Sequence, residues 1–141
     1  MWEHAARGGL GNVIDPWGNE DPAGTQHLPC NIWQGDFLDY NTTVYGYAFT
    51  SPAKSFDANE YGLYGISGNV WDWTADLFRI KSLSKASKTK AAAMRGYRLI
   101  KGGSYLCHAS YYTHYPIAAR TANSPESSTS HTGFRIVFDQ N

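Results

Sequence analysis

Among side chains able to ligate a soft metal ion or attack an electrophile, the chain offers two thiols, Cys30 and Cys107, and five histidines. A thiolate is both a nucleophile and a soft donor that prefers copper(I) to hard cations. Cys107 stands in the run Lys101-Gly102-Gly103-Ser104-Tyr105-Leu106-Cys107-His108, with a further imidazole at His114, so nitrogen donors lie close to this sulfur in the sequence. A cysteine without such a setting is by default a small buried hydrophobe, and that is the reading given to Cys30. Two cysteines close one disulfide at most, which leaves the redox compartment open. A second candidate for coordination lies in Gly68-Asn69-Val70-Trp71-Asp72-Trp73-Thr74. If that stretch is extended, Trp71 and Trp73 share one face and Asp72 takes the other, separating packing from coordination.

These residues must be held by unusual elements. Met1 to Ala6 reads as the end of a helix stopped by Gly8-Gly9, since glycine accepts the left-handed backbone that closes a helix. From Asp15 to Thr50 turn residues dominate: Asp15-Pro16-Trp17-Gly18-Asn19, Asp21-Pro22-Ala23-Gly24, Asn31-Ile32-Trp33-Gln34-Gly35 and Asn41-Thr42-Thr43. Proline and glycine set turn dihedrals and Asx side chains bond back to the local backbone, so long ordered loops with very short strands are expected. Tyr97–Cys107 and Phe134–Phe138 read as the clearest strands, and alternation places Phe134, Ile136 and Phe138 on a core face. Ala91-Ala92-Ala93-Met94 offers a helical turn before Gly96. The class is α+β with a large share of irregular structure.

The 141 residues suffice for one core and form a single domain. The chain is 42% apolar and 17% charged, with 5 Trp, 10 Tyr, 6 Phe and 14 Gly, which excludes a disordered chain and does not suit a helical bundle. No apolar run approaches the roughly 18 to 20 residues of a membrane span, and Met1–Arg7 lacks the apolar core of a signal peptide. Net charge is zero, yet eight of the twelve Lys and Arg fall between Arg79 and Lys101 with no acid among them. Interleaved serines mark 79–101 as a flexible, solvated basic insertion rather than a nucleic-acid-binding surface.

The word order of the chain resembles the sulfatase-modifying factor family. The shared words are Trp2-Glu3-x-Ala5-Ala6-Arg7-Gly8-Gly9, Pro16 to Asn19, Asn31 to Gly35, Tyr61 to Tyr64, Gly68 to Thr74, Lys101 to His108, Ala118 to Arg120 and Gly133 to Arg135. Cys107-His108, together with Asn123-Ser124-Pro125-Glu126-Ser127-Ser128, is similar to its formylglycine-generating branch in particular. The resemblance implies a loop-rich fold related to C-type lectins. Because family members begin well before the position of Trp2, it also implies an absent amino-terminal portion, as in a truncated chain, a fragmentary gene or a split protein.

What this resemblance implies chemically is an oxidase. It would convert a cysteine in a sulfatase Cys-x-Pro-x-Arg segment to formylglycine, using dioxygen and copper(I) held by two thiolates. Cys107 takes the first thiolate position, whereas Tyr112 stands at the second, and a phenol is a poor copper(I) ligand. By the same resemblance Ser104 and Trp71 line the oxygen and copper pocket, and His108, Tyr111, Arg120 and His131 lie near the substrate groove. Arg120, in a core segment, also calls for a carboxylate partner. Two calcium sites are implied: Asn31 with the carbonyls of Ile32 and Tyr47, and Asp72 with the carbonyls of Gly68 and Val70. The first lacks its usual carboxylate at Tyr45, and the second has Gly65 where an amide is usual. A disulfide of secreted members is missing at both positions, Ala6 and Ile117, which favours a reducing, bacterial cytoplasmic setting. The expected partner is an unfolded sulfatase segment, without nucleic acid or membrane, bound by a monomer. Two other functions stay open: a non-catalytic relative that binds such a peptide, and a lectin-like binding domain.

Overall fold

The computed structural model describes residues 1–20, 29–80, 82, 84–110 and 114–138. It holds two helices, α1 (Trp2–Arg7) and α2 (Lys85–Ala93), and six strands: β1 (Gly35–Asp36), β2 (Tyr40–Asn41), β3 (Trp71–Leu77), β4 (Arg98–Lys101), β5 (Thr121–Asn123) and β6 (Thr132–Phe134). β1 and β2 form a small antiparallel ribbon, and the others form one sheet in the order β5-β4-β3-β6. In that sheet β3–β4 and β4–β5 are antiparallel and β3–β6 is parallel, with Asp72 opposite Lys101 on one side and Gly133 on the other. Most of the described chain is turn and loop, so the architecture is the expected irregular α+β class.

Helix α1 ends as its glycines foretell, with Gly8 in the left-handed region at φ 56. Two apolar clusters organise the rest. One gathers Cys30, Ile32, Trp71, Ile100, Cys107 and Tyr115, with Trp17, Tyr45 and Trp73 packed against it. The two tryptophans of β3 therefore meet one cluster, as alternation requires, while Asp72 is drawn to Trp2 and Arg135. The second cluster joins Ala6, Ile66 and Ile117, with Trp2, Val13 and Leu63 beside it. Ala6 and Ile117, the two positions of the absent disulfide, are thus part of one apolar contact region.

Two expectations need correction. The strand read over Tyr97–Cys107 stops at Lys101, because Gly102 and Gly103 take φ of 88 and 75 and turn the chain. The carboxy-terminal strand is only Thr132–Phe134, and Phe134, Ile136 and Phe138 are 73%, 69% and 83% exposed instead of facing a core. Within the 79–101 segment, read as a flexible basic insertion, the chain forms α2 and β4. Ser84 caps α2 by accepting from Ser87 N at 3.1 Å, and an alanine- and lysine-rich run of good helix formers follows. No residue of α2 is buried, so the solvated reading holds for its lysines.

It does not hold for Lys101. This side chain is 1% exposed, and its Nζ donates to Glu3 Oε1 at 2.9 Å and to the carbonyls of Ile117 and Ala119 at 2.6 Å each. The Trp2 ring lies 5.3 Å from the ammonium. One cation thereby ties α1 to β4 and to the loop entering β5. The Lys101 hydrogen bond holds the Glu3 carboxyl below its ordinary value of 4.5, against a smaller desolvation effect. A carboxyl with a depressed folded pKa adds stability above its unfolded pKa and loses it as pH falls through the folded one. Thermal melts should therefore show Glu3→Gln losing stability relative to wild type at pH 6 and much less below pH 3; an equal loss at both pH values would contradict the ion pair.

Candidate active site

Where β3 begins and β4 ends, the sheet opens a cleft of about 310 Å³ whose lining includes Trp71, Ser104, Cys107, His114, Asn123 and His131. Every strand of the sheet contributes: Trp71 from β3, Ile100 from β4, Thr121 to Asn123 from β5, and Thr132 from β6. His131 is fixed to β3 by its carbonyl, which accepts from Trp71 N at 2.8 Å. Cys107, Ser104 and Trp71, which the resemblance assigns to the pocket, and His131, which it assigns to the groove, all line this cleft.

The turn after β4 presents the thiol. Cys107 N donates to Ser104 O at 2.9 Å, Ser104 N donates back to Cys107 Sγ at 3.4 Å, and the Cys107 carbonyl accepts from Trp33 N at 2.9 Å. Gly103 is required by this return. A Cβ there would lie 3.2 Å from the Tyr115 backbone and 3.3 Å from the sulfur itself, on a backbone at φ 75. Burial pushes the Cys107 thiol above its ordinary value, while the Ser104 amide, the Ser104 hydroxyl and the His114 amide pull it back by favouring the thiolate. Cys107 is 4% exposed, and burial outweighs these donors, so the resting group is the thiol and an arriving cation or electrophile must favour the anion. Burial pushes the Cys30 thiol far up, and among the described residues no hydrogen bond to its sulfur pulls it back, in keeping with its reading as a small apolar residue.

A neutral hydrogen bond contributes about 1 kcal/mol, or roughly fivefold in an ionisation equilibrium. Ser104→Ala is therefore expected to slow alkylation of Cys107 by iodoacetamide about fivefold at pH 8, with modification located by peptide mapping. An unchanged rate would show that the hydroxyl does not act on the sulfur.

Burial lowers the pKa of both His114 and His131, which keeps the imidazoles neutral and able to accept or ligate at pH 7. His114 lies with its ring 5.7 Å from that of Trp71, and His131 faces Tyr105 edge-on at 6.3 Å. His114 entered the sequence reading only as an alternative ligand, and Asn123 only as part of a motif; both line the cleft.

Two predicted groove residues lie elsewhere. His108 turns to the surface, its Nδ1 accepting from Ser110 N at 3.2 Å and its ring stacked on Phe37 at 5.8 Å. Arg120 does not line the cleft, and among the described residues no ion pair joins it to a carboxylate: its Nη2 donates to Arg79 O at 3.2 Å and its guanidinium covers the Phe78 ring at 5.5 Å. An aromatic face and a carbonyl satisfy the cation in place of the expected ion pair. Tyr111 and Tyr112 lie outside the described residues.

The donor set fits a soft ion through one protein sulfur, Cys107. Among the described residues no group of three or more His, Cys, Asp or Glu gathers. The calcium sets fare differently. Asn31 is buried and its amide donates to Phe49 O at 2.8 Å and to Asn69 Oδ1 at 3.1 Å, bracing the loop that carries Tyr47; Ile32 belongs to the Cys107 cluster. Asp72, expected beside Gly68 and Val70 as a calcium ligand, has one oxygen engaged within the chain: its Oδ2 accepts from Trp2 Nε1 at 3.0 Å and from Arg135 Nε at 2.8 Å.

The class defined by this loop-rich sheet and its single-thiol cleft matches a known family. The model of the sulfatase-modifying factor enzyme 1-like domain matches residues 1–140, and the chain belongs to that family. It is 47% identical, over 98% of its length, to a formylglycine-generating enzyme of Thermomonospora curvata, covering 47% of that protein. It is also 35% identical over 96% of its length to the inactive C-alpha-formylglycine-generating enzyme 2 of Bos taurus, covering 41% of it. Among solved structures it superposes on Treponema denticola variable protein 1 with a TM-score of 0.65 at 27% identity, covering 94% of this chain and 43% of that one. The chain spans 37 to 48% of the length of the formylglycine-generating enzymes it matches.

Proposed function

We propose that this chain carries a one-thiol form of a formylglycine-generating site, oxidising a cysteine in an extended sulfatase-type Cys-x-Pro-x-Arg segment to the aldehyde. The observation that supports it is the Cys107 sulfur on the wall of the cleft, with Ser104 N donating to it at 3.4 Å. In balanced form, the peptide CH2–SH with dioxygen, two electrons and two protons from a thiol reductant gives CHO, hydrogen sulfide and water. Copper(I), when bound, supplies the activation of dioxygen. The chain's own contribution is to hold Cys107 as a thiolate ligand and to shield it with the Trp71 indole. The neutral imidazoles of His114 and His131 stand ready to take the proton of the incoming thiol. That substrate thiol is the soft donor best suited to complete the coordination that Tyr112 does not.

A second reading, peptide binding without turnover, is favoured by Tyr112 and by the likeness to the relative named inactive. Fluorescence anisotropy of a labelled Cys-x-Pro-x-Arg peptide, followed by mass spectrometry after copper(I), dioxygen and reductant, separates the two. Binding with an aldehyde product supports the oxidase, binding without product supports the second reading, and absence of binding overturns both.

A further inference from the structure

The stretch from Ala75 to Ile100 lies between two words shared with the family and is part of neither. Within it the chain encloses a groove of about 370 Å³. The end of β3 and the residues after it contribute Phe78 and Ile80, the carboxy-terminal end of α2 contributes Ala91 and Met94, and all four are partly buried. Arg79 and Arg95, both exposed, line the same groove. Arg120 adds a further cation 5.5 Å from the Phe78 ring. Lys88 stands three residues before Ala91 and so extends the same face of α2.

Two features of α2 ask for a partner. It has nine residues and buries none of them, whereas helices shorter than roughly 12 to 15 residues are marginal in water and lean on tertiary packing. Its first turn holds Lys85 and no acid, with Lys88 next, so the positive end of the helix dipole meets positive side chains. Carboxylates would relieve this, and the sequence has none between Arg79 and Lys101. Among the described residues no ion pair engages Arg79, Lys85, Lys88, Lys90 or Arg95.

We propose that this groove docks an acidic segment of a partner protein, seating an apolar side chain against Phe78 and Met94 and flanking carboxylates on Arg79, Arg95 and Lys88. Ile80 and the adaptable Met94 suit an aliphatic or aromatic anchor, and the surrounding cations select for acids beside it. The inference is independent of whether Cys107 supports turnover.

Fluorescence anisotropy on the intact chain tests it, with a labelled peptide of glutamates flanking a central Leu-Phe pair, at low salt. Wild type is expected to bind this peptide about tenfold more tightly than does the Arg79→Gln/Arg95→Gln double variant. Exchanging the Leu-Phe pair for two serines is expected to weaken binding at least as much, and the bound peptide should slow amide exchange across residues 85–93. No binding, or binding that the double variant retains in full, would overturn the proposal. Equal binding of the serine peptide or of a single-stranded RNA oligonucleotide would overturn it as well, leaving only a general polyanion surface. So would a concentration-dependent dimer that the double variant abolishes, because the occupant would then be a second copy. The comparison of the two peptides needs no substitution in the chain and decides the question alone if the double variant does not fold.

Discussion

Replacing Lys101 by methionine is expected to cost about 3 to 5 kcal/mol, the usual penalty for removing one partner of a buried charged network. The apolar stem would be replaced almost atom for atom, so the loss isolates the ammonium. Glu3, 49% exposed, can return to water. The carbonyls of Ile117 and Ala119 lose the donor that reaches each at 2.6 Å, and a buried acceptor left unmet costs roughly 1 to 3 kcal/mol. A domain of this size has about 5 to 15 kcal/mol in total, so the variant should sit near the edge of folding. Urea denaturation would show the midpoint falling with the slope unchanged. A loss below 1 kcal/mol would mean that the lysine only fills space.

Cys107→Ser is expected to bring aldehyde formation to background. An alcohol at this position is a hard donor, ionises far above the thiol, and offers copper(I) nothing in exchange for sulfur. Because serine is slightly smaller and can accept the same Ser104 and His114 amides, the fold should survive, with thermal midpoints within a few degrees. Loss of product without loss of structure is the signature sought. The contrast with Ser104→Ala is informative, since that change weakens the thiolate about fivefold but leaves the ligand in place.

Much of the site was legible in the sequence because its pieces are local. Gly102-Gly103-Ser104 and Cys107 form one tight return, in which a Cβ at Gly103 would lie 3.3 Å from the sulfur and one at Gly102 would lie 2.9 Å from the Ile66 carbonyl, and such words survive as words. Trp71 and Trp73 followed from strand alternation alone. What escaped depends on contacts far apart in the chain. Lys101 reads as one more member of a basic run until Glu3, 98 residues away, and the two carbonyls are seen around it. Arg120 was assigned a carboxylate on the general need of a cation, but the fold supplies Phe78 and a carbonyl. The stretch from Phe134 to Phe138 has perfect alternation without a facing layer among the described residues, and periodicity cannot tell a core face from an open one. Arg135 belonged to a recognised word, but its partnership with Asp72 arises only from the parallel β3–β6 pairing, which no local pattern encodes.

The most direct test of the one-thiol oxidase is the rate of aldehyde formation in a Cys-x-Pro-x-Arg peptide, followed by mass spectrometry for wild type and Tyr112→Cys under copper(I), dioxygen and a thiol reductant. The account predicts product from wild type, dependent on Cys107 and faster in Tyr112→Cys. Product from Tyr112→Cys with none from wild type would contradict it and leave the natural chain as a peptide-binding member of its family.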